Sequence, residues 1–357
     1  MWPALVASSP HRARGTPDRR RRASLPRAVI VGLAMLVGAC ATNDAAVTAP
    51  NSDAMLAPPL RALAPPLAAR LRALDCGNLT TADVHEVLAR VPAPRIVLLD
   101  GSVPVVTMAS FARLLAAMGY PEMRLRDPRT GELSTSSFTS SAMLAGELAF
   151  DYEHTGLSPM LIGHSQGGML VIRTLDELAG EFGDALHVVD PSTGRVLSRT
   201  WIVDPYTHTR RPVVGLRVAY AAALATGWLP RLVLGQWTML SRLRTIPDTV
   251  DEFTGFTLPH DPIAGNLFGD RPYVAAGHAR VRNVTLPDGY HHVALPAADH
   301  LARDPAMRAY LDAWRPDRTE ALPPGDTTNL VHAADIWYSV KRHWCGQAQR
   351  LLAVPAS

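Results

Sequence analysis

The chain has 357 residues, 47% of them hydrophobic and 19% charged, which is ordinary for a globular protein and leaves room for one large α/β domain or two small ones. The formal net charge of +3 is unevenly placed: Arg12, Arg14, Arg19–Arg22 and Arg27 crowd the first 27 residues, and the remainder is slightly acidic. The basic balance therefore gives no argument for a nucleic-acid partner, and none is expected.

Taken from the start, Arg19–Arg22 and Arg27 form a positively charged segment ahead of the uncharged apolar run Ala28–Ala39, AVIVGLAMLVGA. Twelve residues are too few to span a bilayer and match the apolar part of an export signal. The run ends in Val37-Gly38-Ala39-Cys40, small residues before a cysteine, and this resembles the lipobox of bacterial lipoproteins. The resemblance implies a signal peptide over 1–39, lipidation of Cys40, and a membrane partner reached through that lipid anchor. Ala41 stands where an aspartate would retain the lipoprotein, which implies export to the outer membrane. The stretch 40–70 is rich in Ala and Pro and reads as a tether, so the folded domain is expected over 71–357.

Within that domain, Thr80-x-x-Asp83 has the form of a capping box opening a helix through Ala89. Arg95–Leu99 predicts a strand, Ser110–Met118 a helix ended by Gly119, and Met123–Arg126 a short strand. Ser141–His154 places Leu144, Leu148 and Tyr152 on one helical face. Pro159–Ile162 reads as a buried strand; a hairpin around Pro191–Gly194 leads into a strand at Thr200–Val203. Phe253–Leu258 and Arg280–Leu286 are later strands. Strands alternating with helices predict an α/β fold, a mostly parallel sheet covered by helices on both faces. The long apolar segment 206–249, with Trp228 and Trp237, departs from this rhythm and suggests a helical cap insertion over an apolar site, set against ordinary core helices.

The motif Gly163-His164-Ser165-Gln166-Gly167-Gly168 follows the strand at Pro159–Ile162 and precedes a segment with Met169, Ile172 and Leu175 at helical spacing. A serine on such a strand-to-helix turn has its oxygen lifted out of the backbone. Together with Leu98–Pro104 (LLDGSVP), the turn at Asp261 (HDPIAGN) and Gly289–Pro296 (GYHHVALP), this motif resembles the α/β-hydrolase superfamily, in particular bacterial lipases and esterases. The resemblance implies a Ser165, Asp261, His292 triad in the family's chain order. A serine hydroxyl needs a neighbouring imidazole to take its proton, and the imidazole needs a carboxylate to fix its tautomer. His291 stands beside His292 as an alternative base, and Asp204, after the strand Thr200–Val203, as an alternative acid.

The same resemblance implies an oxyanion hole from the N–H of Gln166 and a donor at Gly101–Ser102, although Asp100 replaces the family's usual histidine. No metal-ligand spacing, phosphate loop or dinucleotide fingerprint is present, and no cofactor or metal is expected. The implied activity is hydrolysis of carboxylic esters, lipids among them, through an acyl-enzyme. An acyltransferase would use the same triad, and a non-catalytic lipoprotein could use the fold to bind lipid or protein. Setting Cys40 aside for lipid leaves Cys76 and Cys345, one near each end of the domain, as an expected disulfide in an exported protein.

Overall fold

The computed structural model describes residues 63–266, 271–318 and 321–353. The expected signal peptide, Cys40 and most of the tether lie outside the described residues. The first described helix, α1 (Pro65–Ala73), begins inside the stretch read as tether: Leu67, Ala68 and Leu71 are buried, so the fold starts several residues earlier than Leu71. Helix α2 (Thr81–Glu86) opens with the expected capping box, Thr80 and Asp83 each satisfying the other's backbone N–H.

Five parallel strands form the main sheet in the order β1 (Ile96–Leu99), β2 (Met160–His164), β5 (Val218–Leu224), β7 (Val250–Thr257) and β9 (Arg280–Thr285). Alternation along each strand splits the core into two layers. Ile96, Leu98, Met160, Ile162 and Tyr220 face one, and Val97, Leu99, Leu161, Ala221 and Ala223 face the other. The first layer is closed by α2, α3 (Ala109–Ala117), α7 (Pro305–Ala313) and α8 (Leu330–Ala353); the second by α4 (Ser141–Thr155) and α5 (Gln166–Leu178).

A sheet whose strand order follows the chain would put successive right-handed crossovers on a single face. This chain reaches both because the β1-to-β2 connection passes the edge of β1. Thr135 bridges there to Leu99, its N–H donating to Leu98 O at 2.8 Å and its C=O accepting from Asp100 N–H at 3.0 Å. Helix α3 precedes that crossing and α4 follows it, so they end on opposite faces.

Several elements differ from expectation. The apolar run in 206–249 contains β5, a strand at the middle of the sheet with all seven residues buried. Its sequence VAYAAAL favours a helix by propensity, but a strand covered on both faces needs no polar alternation, and small side chains let α5 and α8 close on it. The helical part of 206–249 shrinks to α6 (Leu229–Val233) and a 3-10 turn at Trp237–Met239. Met123–Arg126 is not a strand; Glu122–Arg124 forms a 3-10 turn whose Arg124 reaches Asp151 at 2.9 Å. The strand expected at Thr200–Val203 is β3 (Trp201–Val203), but it pairs only with β4 (Arg210–Pro212), outside the main sheet. A further small pair joins β6 (Thr245–Ile246) to β8 (Val274–Ala275).

The long helix α8 was not among the predicted elements. It buries Trp337, Trp344 and Cys345, and the structure places Cys345 and Cys76 at disulfide distance, with Cα atoms 5.5 Å apart. Among the described residues no helix is long and apolar enough to cross a membrane.

Candidate active site

Ser165 stands between the last residue of β2 and the first of α5, with φ 53° and ψ −108°. A positive φ is costly for a side chain with a Cβ and persists only where the surroundings impose it. Here they do: Ser165 N–H donates to Leu224 O at 2.8 Å, and its C=O accepts from Thr226 Oγ1 at 3.0 Å and from Met169 N–H at 3.3 Å. The glycines make the turn sterically possible. A Cβ on Gly163 would fall 2.3 Å from the Gly167 carbonyl, and one on Gly167 would fall 2.2 Å from Leu99 O at the end of β1. The helix start can therefore sit directly against two strands.

Asp261 lies in the loop after β7, 1% exposed. Its main chain forms a mutual pair with Asn266, at 3.0 and 2.8 Å. Its Oδ1 accepts from Ile263 N–H at 3.1 Å and Ala264 N–H at 3.0 Å, which leaves Oδ2 for a single partner. That partner is His292, whose Nδ1–H donates to it at 2.7 Å. The bond assigns the proton to Nδ1, so Nε2 carries the lone pair. His292 opens a 3-10 turn after β9 and is buried, whereas its neighbour His291 is exposed.

Asp204 is elsewhere. It follows β3 in the small two-stranded pair, where its Oδ1 caps the N–H groups of Tyr206 and Thr207 and its Oδ2 accepts from Tyr152 Oη at 3.1 Å. Its contacts are those of an Asp-Pro turn, and none reaches His291 or His292. Ser165 Oγ forms no hydrogen bond among the described residues, to His292 or to any other.

The link between the serine turn and the His292 loop is instead made by His164, the residue directly before Ser165. It is 1% exposed, its Nε2–H donates to the main-chain O of His292 at 2.8 Å, and the two rings are 5.0 Å apart. Burial, and then the nearby His292, push its pKa down to about 3, so it is neutral. The tie spans 128 positions, and no local pattern announces it.

Asp100 organises the loop after β1. Its Oδ1 accepts from Met108 N–H at 2.7 Å at the start of α3, and burial raises its pKa. Gly101 N–H turns inward to Val106 O at 3.4 Å, and Gly101 C=O accepts from Ser137 Oγ at 3.0 Å. Of the two expected donors in this loop, Ser102 N–H is the one without a partner among the described residues. Gln166 N–H is the first of α5 and has no acceptor within the helix, so it lies at the positive end of the helix dipole.

Among the described residues no group of three or more His, Cys, Asp or Glu side chains could hold a metal ion. No protein-family model matches the chain, and no curated protein matches it.

Proposed function

We propose that the protein is a serine hydrolase of carboxylic esters with an α/β-hydrolase fold, in which Ser165 attacks, His292 takes the proton and Asp261 holds the imidazole. The observation that carries this reading is the buried His292–Asp261 pair at 2.7 Å, tied through His164 to a serine held at φ 53°. The Nδ1–H tautomer leaves Nε2 as the proton acceptor. In such sites the serine-to-imidazole bond commonly closes only in the substrate complex. Attack forms a tetrahedral oxyanion, to which the N–H groups of Gln166 and Ser102 donate. The imidazolium then protonates the leaving alcohol, and water repeats the sequence on the acyl-enzyme.

Exposed apolar side chains support an apolar acyl substrate. Val103 and Val105 project from the loop after β1, and Val293 follows the base. Trp228 and Trp237 project from the short helical excursion around α6, which serves as a partial cap. Trp228 Nε1–H donates to Gly265 O at 3.0 Å, fixing that excursion on the loop that carries Asp261. The lipobox-like Cys40 supports the companion reading of a lipid-anchored envelope enzyme, held at the membrane that supplies such esters.

The test is labelling with a fluorophosphonate probe combined with hydrolysis of an ester series from short to long acyl chains. The wild type should label and hydrolyse, and Ser165→Ala should do neither while keeping the wild-type Tm. An unlabelled but folded wild type would overturn the reading.

A further inference from the structure

A second cleft, of about 460 Å³, opens at the far end of the sheet from Ser165. Arg217 immediately precedes β5, Asp251 is the second residue of β7 and Arg280 the first of β9, so the cleft lies at the N-terminal ends of strands whose C-terminal ends face the serine. The C-terminal half of α8 adds Arg342 and Arg350. Its volume falls in the range of small-molecule sites.

The charges here do not balance. Arg217 is matched by Asp251 at 3.1 Å, and Arg282, beneath the cleft, by Asp335 at 2.5 Å. Glu252 is shared: Arg342 contacts it, Arg280 approaches to 3.6 Å, and Arg282 also reaches it at 3.2 Å. Arg350 has no carboxylate partner among the described residues. Among the described residues five guanidinium groups thus meet these three carboxylates, and Asp248, whose Oδ1 accepts from Ala279 N–H at 2.9 Å, adds a fourth at the rim, so the concavity keeps a net positive charge. His278, exposed on the rim, can add a further donor.

Fastening α8 to the sheet accounts for Arg282 and Arg342, which face Glu252 and Asp335. It does not account for Arg350, or for Arg280, whose side chain is 61% exposed. Clustered like charges repel one another, and a bound anion relieves that repulsion. Guanidinium groups present paired N–H donors that fit the oxygens of a phosphate in bidentate fashion. We propose that this cleft is a binding site for a phosphate dianion carried on a small organic group, separate from the serine site and independent of the reaction assigned to it. The exposed guanidinium groups of Arg280 and Arg350 can divide the oxygens of a phosphomonoester between them, and the volume exceeds what the phosphate alone would fill. Such a group could arrive on a soluble phosphomonoester or as the headgroup of a lipid.

The experiment uses the full chain and an Arg280→Gln/Arg350→Gln double variant at fixed ionic strength. Glycerol 3-phosphate, titrated calorimetrically, is the soluble probe. Cosedimentation with phosphatidylcholine vesicles, with and without phosphatidic acid, is the lipid probe. We expect saturable binding of one equivalent of glycerol 3-phosphate, weakened roughly tenfold or more in the double variant, whose ester hydrolysis stays at the wild-type level. A phosphatidic-acid-dependent gain in cosedimentation that the double variant loses assigns the site to a headgroup; soluble binding without that gain assigns it to a free phosphomonoester. If neither probe binds saturably, or both bind the variant as they bind the wild type, the proposal is wrong. Should the double variant fold poorly, Arg350→Gln alone, on the exposed last turn of α8, serves with the same criteria.

Discussion

The imidazole of His164 donates its Nε2–H to the backbone carbonyl of His292 at 2.8 Å. The residue before Ser165 thus fixes the main chain of His292, and it does so as a neutral group, its pKa held down to about 3 by burial. Removing the donor would leave the buried His292 carbonyl only the 3.5 Å contact from Leu295 N–H, at a cost of about 1 kcal/mol, and free the His292 loop to shift. His164→Phe should therefore lower kcat by roughly 10- to 100-fold with little change in KM, since misplacement of about 1 Å can cost 10²-fold. His164→Gln can still present an N–H toward the carbonyl and should recover part of the loss. Equal loss of Tm in both variants, with kcat unaffected in either, would reduce His164 to a packing residue.

The paired alternatives separate by activity. His292→Ala should cost on the order of 10⁴ or more in kcat, as loss of a triad member does, while the exposed His291→Ala should be mild. Asp261→Asn should cost about 10⁴ in kcat by removing the acceptor that fixes the imidazole tautomer. Asp204→Asn should leave kcat unchanged and lower stability by about 1 kcal/mol through its turn and Tyr152 contacts. Steady-state kinetics and urea denaturation on the four variants would decide, and a kcat collapse in Asp204→Asn would transfer the acid role.

What the sequence made legible was local chemistry. The Gly-rich turn around Ser165 announces itself because Gly163 and Gly167 leave room that no other residue could. Asp261 and His292 were implied by the resemblance of HDPIAGN and GYHHVALP to the acid and base loops of α/β-hydrolases. Non-local facts stayed hidden: β5 reads as a helix because burial on both faces erases strand periodicity, and the His164–His292 tie joins residues with no shared pattern. Gly101 looked as suitable as Ser102, and only the inward turn toward Val106 O tells them apart.

Cys76 and Cys345, 269 positions apart, offer a mechanical test of the domain's closure. A bridge there fastens the segment after α1 to α8. In the chain-entropy account a loop of that length is worth on the order of 4–5 kcal/mol. Neither sulfur is near the serine end of the sheet, so reduction, or Cys76→Ser, should lower Tm by roughly 5–15 °C while leaving kcat near the wild-type value. Mass mapping of unreduced protein should recover the two peptides linked. Alkylation of both thiols in native, unreduced protein would rule the bridge out.

Acid should destabilise the fold earlier than its carboxylates alone would dictate. Burial lowers the pKa of His164 to about 3, of His332 to about 4 and of His343 to about 3, the last helped by Arg342. All three are folded in as neutral rings; His332, for example, donates Nε2–H to Leu295 O at 3.0 Å. In the unfolded chain each binds a proton below the ordinary histidine value of about 6.5. Between about pH 4 and 6.5 the unfolded state therefore holds up to three more protons than the native state, and stability rises with pH across that window. Asp176 opposes them: burial pushes its carboxyl up to about 7, so the native state gains one proton there that the unfolded chain does not. Asp100, Glu147 and Asp335, also raised by burial, add to that opposition at the acid end. The net excess near pH 5.5–6 is about two protons, a slope of about 3 kcal/mol per pH unit at most. Urea denaturation at pH 7.0 and pH 5.5 should show a clearly lower midpoint at pH 5.5 with an unchanged m-value. A His343→Gln variant, which has no ring to protonate, should show a shallower dependence. A midpoint that is flat or rises on acidification would mean that these rings are accessible to protons in the folded protein.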